Sequence, residues 1–143
     1  MQDFKGLKIW DKSRMFYLNI YTITSSFPKE ELYGLTNQLR RAALSIGANI
    51  AEGSGRMSNK EFAKFLYYSM GSVKECEHYL IISKELNFIN ENNSQKLKKD
   101  LDEIARMLSS LLQILKLNII QNKNSIEKQS TAITTNHILQ TTN

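Results

Sequence analysis

The sequence predicts an all-α protein folded as an antiparallel up-down-up-down four-helix bundle. The 143 residues include one proline and six glycines, too few for the many turns of a strand-rich domain. Four segments each carry one apolar seam whose members alternate three and four residues apart, which is the spacing of bundle helices. Short breaks separate these segments, and short connections place consecutive helices antiparallel to one another.

The first predicted helix extends from about Leu7 to Ser26. It ends at Phe27 because proline follows, and a residue before proline is pushed out of the α region. Its seam consists of Ile9, Ser13, Phe16, Ile20, Ile23 and Phe27.

The second predicted helix covers about residues 28–52 and has a wide apolar face of small side chains. Gly34 can interrupt it, so Thr36 is an alternative start, and Gly53 suits the left-handed position after a helix. Asn49 falls on the seam, where a buried amide can fix helix register. The seam consists of Leu32, Leu35, Leu39, Ala42, Ile46, Asn49 and Gly53.

The third predicted helix begins after Ser58, which lies three residues before Glu61 and so forms a capping box. It ends near Leu86. Its seam consists of Phe62, Leu66, Ser69, Val73, Cys76, Leu80 and Ser83.

The fourth predicted helix is capped by the Asn92-Asn93-Ser94 segment and ends at about Gln121. Its seam consists of Leu97, Leu101, Ile104, Leu108, Leu111 and Leu115. Residues 122–143 are rich in Ser, Thr, Asn and Gln without a helical pattern, a composition typical of disorder. The sequence therefore predicts a bundle over residues 1–121 and a disordered polar tail over residues 122–143.

Composition restricts the compartment and the partners. Nineteen Lys and Arg against fourteen Asp and Glu give a net charge of +5, which permits binding to nucleic acid. No apolar run reaches the roughly 20 residues of a membrane span, and no secretory signal is recognisable. A single cysteine, Cys76, cannot form an intrachain disulfide, so we expect a cytoplasmic protein.

Few residues offer catalytic or metal-binding chemistry. Glu75 and His78 have the Glu-x-x-His spacing of bundle metal sites, but such a site needs a second motif, and the other histidine, His137, lies in the tail. Cys76 lies on the apolar seam, where burial makes a thiol inert. We therefore expect no enzyme activity, no metal and no cofactor. An enzyme with a metal at Glu75 and His78 remains the disfavoured alternative.

Five basic residues are the candidates for phosphate contacts. Arg56 follows Gly53-Ser54-Gly55 just before a helix start, which can bind an anion or can simply form a tight turn with Arg56 paired to Glu52. Lys60 and Lys64 share a helix face. Arg40 and Arg41 are adjacent, and one of them can lie inside, paired with a carboxylate such as Glu75. The candidates are Arg40, Arg41, Arg56, Lys60 and Lys64.

The segment from Tyr33 to Arg56, YGLTNQLRRAALSIGANIAEGSGR, resembles the signature of one bacterial family. Its members are four-helix-bundle proteins first met as reading frames inside intervening sequences of 23S ribosomal RNA genes. Leu7–Trp10, Phe27–Glu31 and Ser58–Leu66 extend the likeness to about residues 4–90. Cys76 departs from the family pattern, which has an aliphatic residue there.

The resemblance implies a function and an assembly. Family members are similar to the accessory variability protein of diversity-generating retroelements, a basic pentameric barrel that works with a reverse transcriptase and nucleic acid. We therefore expect a homopentameric, non-enzymatic accessory protein that binds RNA or DNA. The alternative is a protein-interaction scaffold, for example a partner of a reverse transcriptase.

Overall fold

The computed structural model describes residues 3–141, with side chains described for residues 3–133. This range contains no strand. Its four α-helices are α1 (Lys8–Thr24), α2 (Leu35–Ser54), α3 (Asn59–Glu85) and α4 (Glu91–Thr141), and single 3-10 turns occupy Phe4–Gly6 and Lys29–Glu31. The predicted all-helical class is confirmed.

The helices pack in the order α1, α2, α3, α4, and α4 closes the ring against α1. Within residues 3–141, the diagonal pairs α1–α3 and α2–α4 make no close backbone contact. Because each connection is short, each helix runs antiparallel to the one before it. The molecule is the up-down-up-down bundle that the seams predict.

The core is built from the seam residues. All seven predicted seam members of α3 are buried: Phe62, Leu66, Ser69, Val73, Cys76, Leu80 and Ser83. Ser69 donates a 2.9 Å hydrogen bond to the Ile46 carbonyl oxygen of α2, and Ser72 donates one of 2.9 Å to the Ser45 hydroxyl. Small hydroxyl side chains therefore join α2 to α3 at close range.

Four predicted seam positions are wrong by one residue: Thr24 is buried in place of Ile23, Thr36 in place of Leu35, Ile50 in place of Asn49, and Leu112 in place of Leu111. A fifth, Leu32, is 50% exposed because it lies before the start of α2. In α1 and α4 the buried positions follow the 3.6-residue period of a straight helix. A strict seven-residue repeat drifts by about 20° per heptad against that period, so the buried face moves by one position within three turns.

Asn49 is therefore only half-buried. Its side-chain nitrogen donates to the Ser45 carbonyl oxygen at 2.9 Å and to the Ser45 hydroxyl at 3.0 Å, one turn earlier in the same helix. The amide bonds within α2 instead of reaching across the core.

The predicted role of Gly53 as a left-handed cap is wrong. Helix α2 continues to Ser54, and within the described chain no glycine has positive φ. A Cβ atom at Gly53 would lie 2.8 Å from Phe62 Cδ2 and 2.8 Å from Phe65 Cβ. Glycine is needed here because α2 and α3 approach too closely for any side chain.

The helix starts follow local capping. The Ser58 hydroxyl accepts the Glu61 backbone N–H at 3.2 Å, as the capping box predicts. Helix α2 begins at Leu35, close to the alternative start. The cap of α4 differs from the prediction: Asn90 Oδ1 accepts the Asn93 backbone N–H at 2.8 Å, and the helix starts at Glu91.

Helix α4 is longer than predicted. It continues to Thr141 instead of ending near Gln121. The expected disorder of residues 122–143 stays a prediction, and residues 142–143 lie outside the described range. Leu115 is the last buried residue among the described side chains, and residues 121–133 are all exposed. Residues 121–133 therefore project from the bundle without adding to its core.

Across residues 3–141, no helix is both long and apolar enough for a transmembrane segment.

Candidate nucleic-acid interface

Arg40 holds α1 and α2 together. Its Nε donates a 2.8 Å hydrogen bond to the Thr24 hydroxyl, and its Nη2 donates to the Tyr21 carbonyl oxygen at 3.2 Å. The guanidinium also lies 3.9 Å from the centroid of the Tyr21 ring. The expected pairing with Glu75 is wrong: Arg40 instead satisfies carbonyl and hydroxyl groups at the end of α1, where a cation also complements the helix dipole.

Arg41 and Arg56 differ in exposure and in the contacts of their guanidinium groups. Arg41 is exposed beside Arg40. Arg56 forms an ion pair with Glu52 one turn earlier, and its guanidinium lies 4.6 Å from the centroid of the Phe65 ring. The segment around Ser54 and Gly55 has the predicted turn with Arg56 paired to Glu52, and anion binding there stays a prediction.

Lys60 and Lys64 line a groove between the start of α3 and the middle of α4. They lie one turn apart on the exposed face of α3, and Lys116 of α4 faces them across the groove. The floor is apolar, with Ala63 and Ile119. We call this feature the basic groove, and its volume is about 670 Å³.

Two tyrosines form the walls of the basic groove. Tyr67 and Tyr68 are 50% and 49% exposed. Lys116 Nζ lies 5.8 Å from the Tyr67 ring centroid, and Lys64 Nζ lies 5.9 Å from that of Tyr68. These distances fall at the outer limit of a cation–π contact, so each ring has an ammonium group beside it.

The groove lysines differ from several other lysines in their electrostatic surroundings. Lys12 pairs with Glu103 at 2.9 Å, Lys74 with Glu77 at 2.8 Å and Lys84 with Glu91 at 2.6 Å. Among the described side chains, Lys60, Lys64 and Lys116 form no ion pair.

One carboxylate also lines the basic groove. Glu61 lies at its edge, and its Oε2 accepts a 3.3 Å hydrogen bond from the Ser58 hydroxyl. Three cations against one carboxylate leave the groove with a net positive charge.

Lys116, Tyr67 and Tyr68 were missed among the candidates from the sequence. Tyr68 follows Lys64 by four residues, so the two lie on one helix face, and that spacing was available as a signal. Lys116 had no such signal, because its place depends on which part of α4 faces the start of α3.

Cys76 is buried, as predicted, and is not exposed at all. Burial and, to a smaller extent, the negative charge of Glu75 together raise the pKa of its thiol from an ordinary value of 9.0 to about 12. Such a thiol stays protonated at neutral pH and is a poor nucleophile.

Glu75 and His78 are both exposed on α3. Among the described residues, no cluster of three or more His, Cys, Asp or Glu side chains is placed to hold a metal ion.

The sequence matches the family model of the 23S rRNA-intervening sequence protein over residues 5–110. The chain belongs to this family. The matched range covers α1, α2, α3 and the first turns of α4, and it contains every predicted phosphate-contact residue. No curated protein matches the sequence.

A solved structure has the same fold. It is the crystal structure of a protein of unknown function from the S23 ribosomal protein family of Bacteroides thetaiotaomicron. The two sequences are 25% identical, the match covers 73% of this chain and 97% of that chain, and the TM-score is 0.66.

Proposed function

We propose that this family member is a non-enzymatic accessory protein that binds RNA or DNA through the basic groove. The observation that carries the proposal is the set of three lysines around an apolar floor, Lys60, Lys64 and Lys116. The net charge of +5 and the family of RNA-gene intervening sequences agree with it.

Phosphates are the contacts that these side chains support. A lysine ammonium binds phosphate as a point charge and reads no base identity. Binding is therefore weakly sequence-specific and falls as salt rises, since counterions are released from the nucleic acid. Arg41 adds an exposed cation on α2, whereas the guanidinium groups of Arg40 and Arg56 are already engaged within the protein.

Charge reversal in the groove tests the proposal. The double variant Lys60→Glu with Lys64→Glu should bind a fluorescent RNA at least about tenfold more weakly at about 50 mM salt, because each phosphate contact adds its own salt-dependent attraction. Fluorescence anisotropy measures the affinity.

The matched control is Lys96→Glu with Lys98→Glu. It makes the same change in net charge on exposed lysines at the start of α4, at the other end of the bundle. The control should lose less affinity than the groove variant. Equal losses would remove the groove from the proposal and leave only a general effect of charge.

The proposal includes assembly into a homopentamer, which the family resemblance supports. It also includes a cytoplasmic location, which the single buried cysteine supports. A symmetric ring repeats the basic groove around one axis and so strengthens attraction to a phosphate backbone. Light scattering on the purified protein tests the number of copies.

A protein-interaction scaffold is the second candidate. The second half of α4, from the last packed turns into the projecting part, exposes several large apolar side chains, which are Leu117, Ile120, Ile126 and Ile133. Exposed apolar residues on an unpartnered helix favour binding to another helix or protein, for example a reverse transcriptase. Under this alternative the purified protein does not bind nucleic acid at physiological salt.

A further inference from the structure

We propose that the basic groove binds single-stranded nucleic acid, with unpaired bases stacked on Tyr67 and Tyr68. This inference rests on the proposed function and adds the form of nucleic acid that the groove selects. The geometry that carries it is the pairing of each exposed tyrosine ring with its own lysine, in one groove with an apolar floor.

Tyr67 and Tyr68 are about half-exposed, so part of each ring is available to a ligand in the groove. Aromatic faces beside cations are the usual means of binding an unpaired strand, since every base has a face that can stack. The rings supply the stacking and the lysines supply the phosphate contact.

The size and chemistry of the groove suit a nucleotide. Its volume of about 670 Å³ lies within the range of about 300–1,000 Å³ for small-ligand sites. Ala63 and Ile119 give it a floor without hydrogen-bonding groups, which fits the flat, sequence-tolerant contact of a base. Lys60 extends the line of positive charge along α3.

A duplex lacks the feature that the tyrosines bind, because its bases are already stacked inside the helix. A surface of lysines alone would favour the duplex, since a duplex has the higher charge density. A preference for single strands therefore cannot come from phosphate contacts alone and identifies base stacking.

The experiment compares fluorescent strands of about 12 nucleotides, a length within known single-strand site sizes. Oligo-U, oligo-dT, an abasic strand and a hairpin duplex with the same number of phosphates are titrated with the full-length protein. We expect the unpaired strands to bind about tenfold more tightly than the duplex and the abasic strand. Equal binding of RNA and DNA assigns the contact to bases and phosphates, and tighter RNA binding adds a contact to the 2′-hydroxyl.

Tyrosine variants separate stacking from charge. Tyr67→Ala and Tyr68→Ala should each weaken oligo-U binding about 5- to 100-fold and leave the salt slope unchanged. Tyr67→Phe keeps the ring and should bind as the wild type does. Lys64→Gln should instead lower the slope of log K against log salt by about 0.7.

Tyr33→Ala is the matched control, because Tyr33 is 89% exposed and lies away from the groove, before α2. It should bind as the wild type does. Circular dichroism and thermal unfolding of each variant report whether it is folded. If an alanine variant is not folded, the abasic and duplex strands titrated with the wild type still test base stacking.

Two results would overturn the inference while the proposed function stands: a duplex bound as tightly as the unpaired strands, or folded alanine variants that bind like the wild type. A wild type that binds none of the probes at low salt removes both the inference and the proposed function.

Discussion

At the scale of single residues, Gly53 sets the distance between α2 and α3. Gly53→Ala should destabilise the protein by about 1–3 kcal/mol, because the added methyl overpacks the contact with Phe62 and Phe65 at 2.8 Å. The free energy of unfolding in urea measures the effect.

Gly71→Ala is the control for this substitution. Gly71 is also helical, but a Cβ there meets nothing within 4 Å, so alanine should stabilise by about 0.5–1 kcal/mol through helix propensity. A Gly53→Ala protein as stable as Gly71→Ala would contradict the close approach of the two helices.

Cys76 makes stability depend on pH in the alkaline range. Burial raises the pKa of its thiol from 9.0 to about 12 in the folded protein, so the unfolded chain loses this proton first as the pH rises. Deprotonation therefore favours unfolding above about pH 9, and below that pH the thiol has no effect.

Comparison with Cys76→Ala removes the contribution of tyrosines and lysines that titrate in the same range. Between pH 8 and pH 10 the wild type should lose about 1.4 kcal/mol of unfolding free energy relative to the variant. A constant difference between the two proteins across this range would show that the thiol is not buried as described.

At the scale of helices, α4 divides into a packed part and a projecting part. A chain ending after Gln121 should retain its stability within about 0.5 kcal/mol, because residues 121–133 are all exposed. Urea unfolding of the shortened and full chains measures the difference. A much less stable short chain would show that the projecting turns pack against the bundle or against another copy.

The helices also show how far a sequence pattern predicts a buried face. In α3 every seam residue was correct, since its apolar positions keep a 3.5-residue spacing to the end. In α1 and α4 the face follows 3.6 residues per turn, so Thr24 and Leu112 are buried where Ile23 and Leu111 were expected. In α4 both neighbouring positions are leucine, so which one is buried depends on the packing of the other helices.

The basic groove could be predicted only in part. Lys60 and Lys64 lie one turn apart on one helix, and that spacing alone places them together. Lys116 is distant in sequence, so its position across the groove depends on the packing of α4 against α3. The engagement of Arg40 with the end of α1 also depends on tertiary contact and had no local signal.

At the scale of the whole molecule, some charged side chains join neighbouring helices through ion pairs, and others line the basic groove. Lys12 with Glu103 joins α1 to α4, and Lys84 with Glu91 joins α3 to α4. The basic groove lies between α3 and α4 near the start of α3, and its lysines have no such partners among the described side chains. The groove therefore places three lysines beside two half-exposed tyrosine rings.

The most direct test of the central claim is the binding of wild-type protein to an unpaired RNA strand at about 50 and 200 mM salt. Three lysines in one groove predict a slope of about −2 for log K against log salt, at about 0.7 for each phosphate contact on a single strand. Measurable binding that weakens with this slope supports a nucleic-acid-binding accessory protein. Absence of binding at 50 mM salt, or an affinity that does not change with salt, would contradict it.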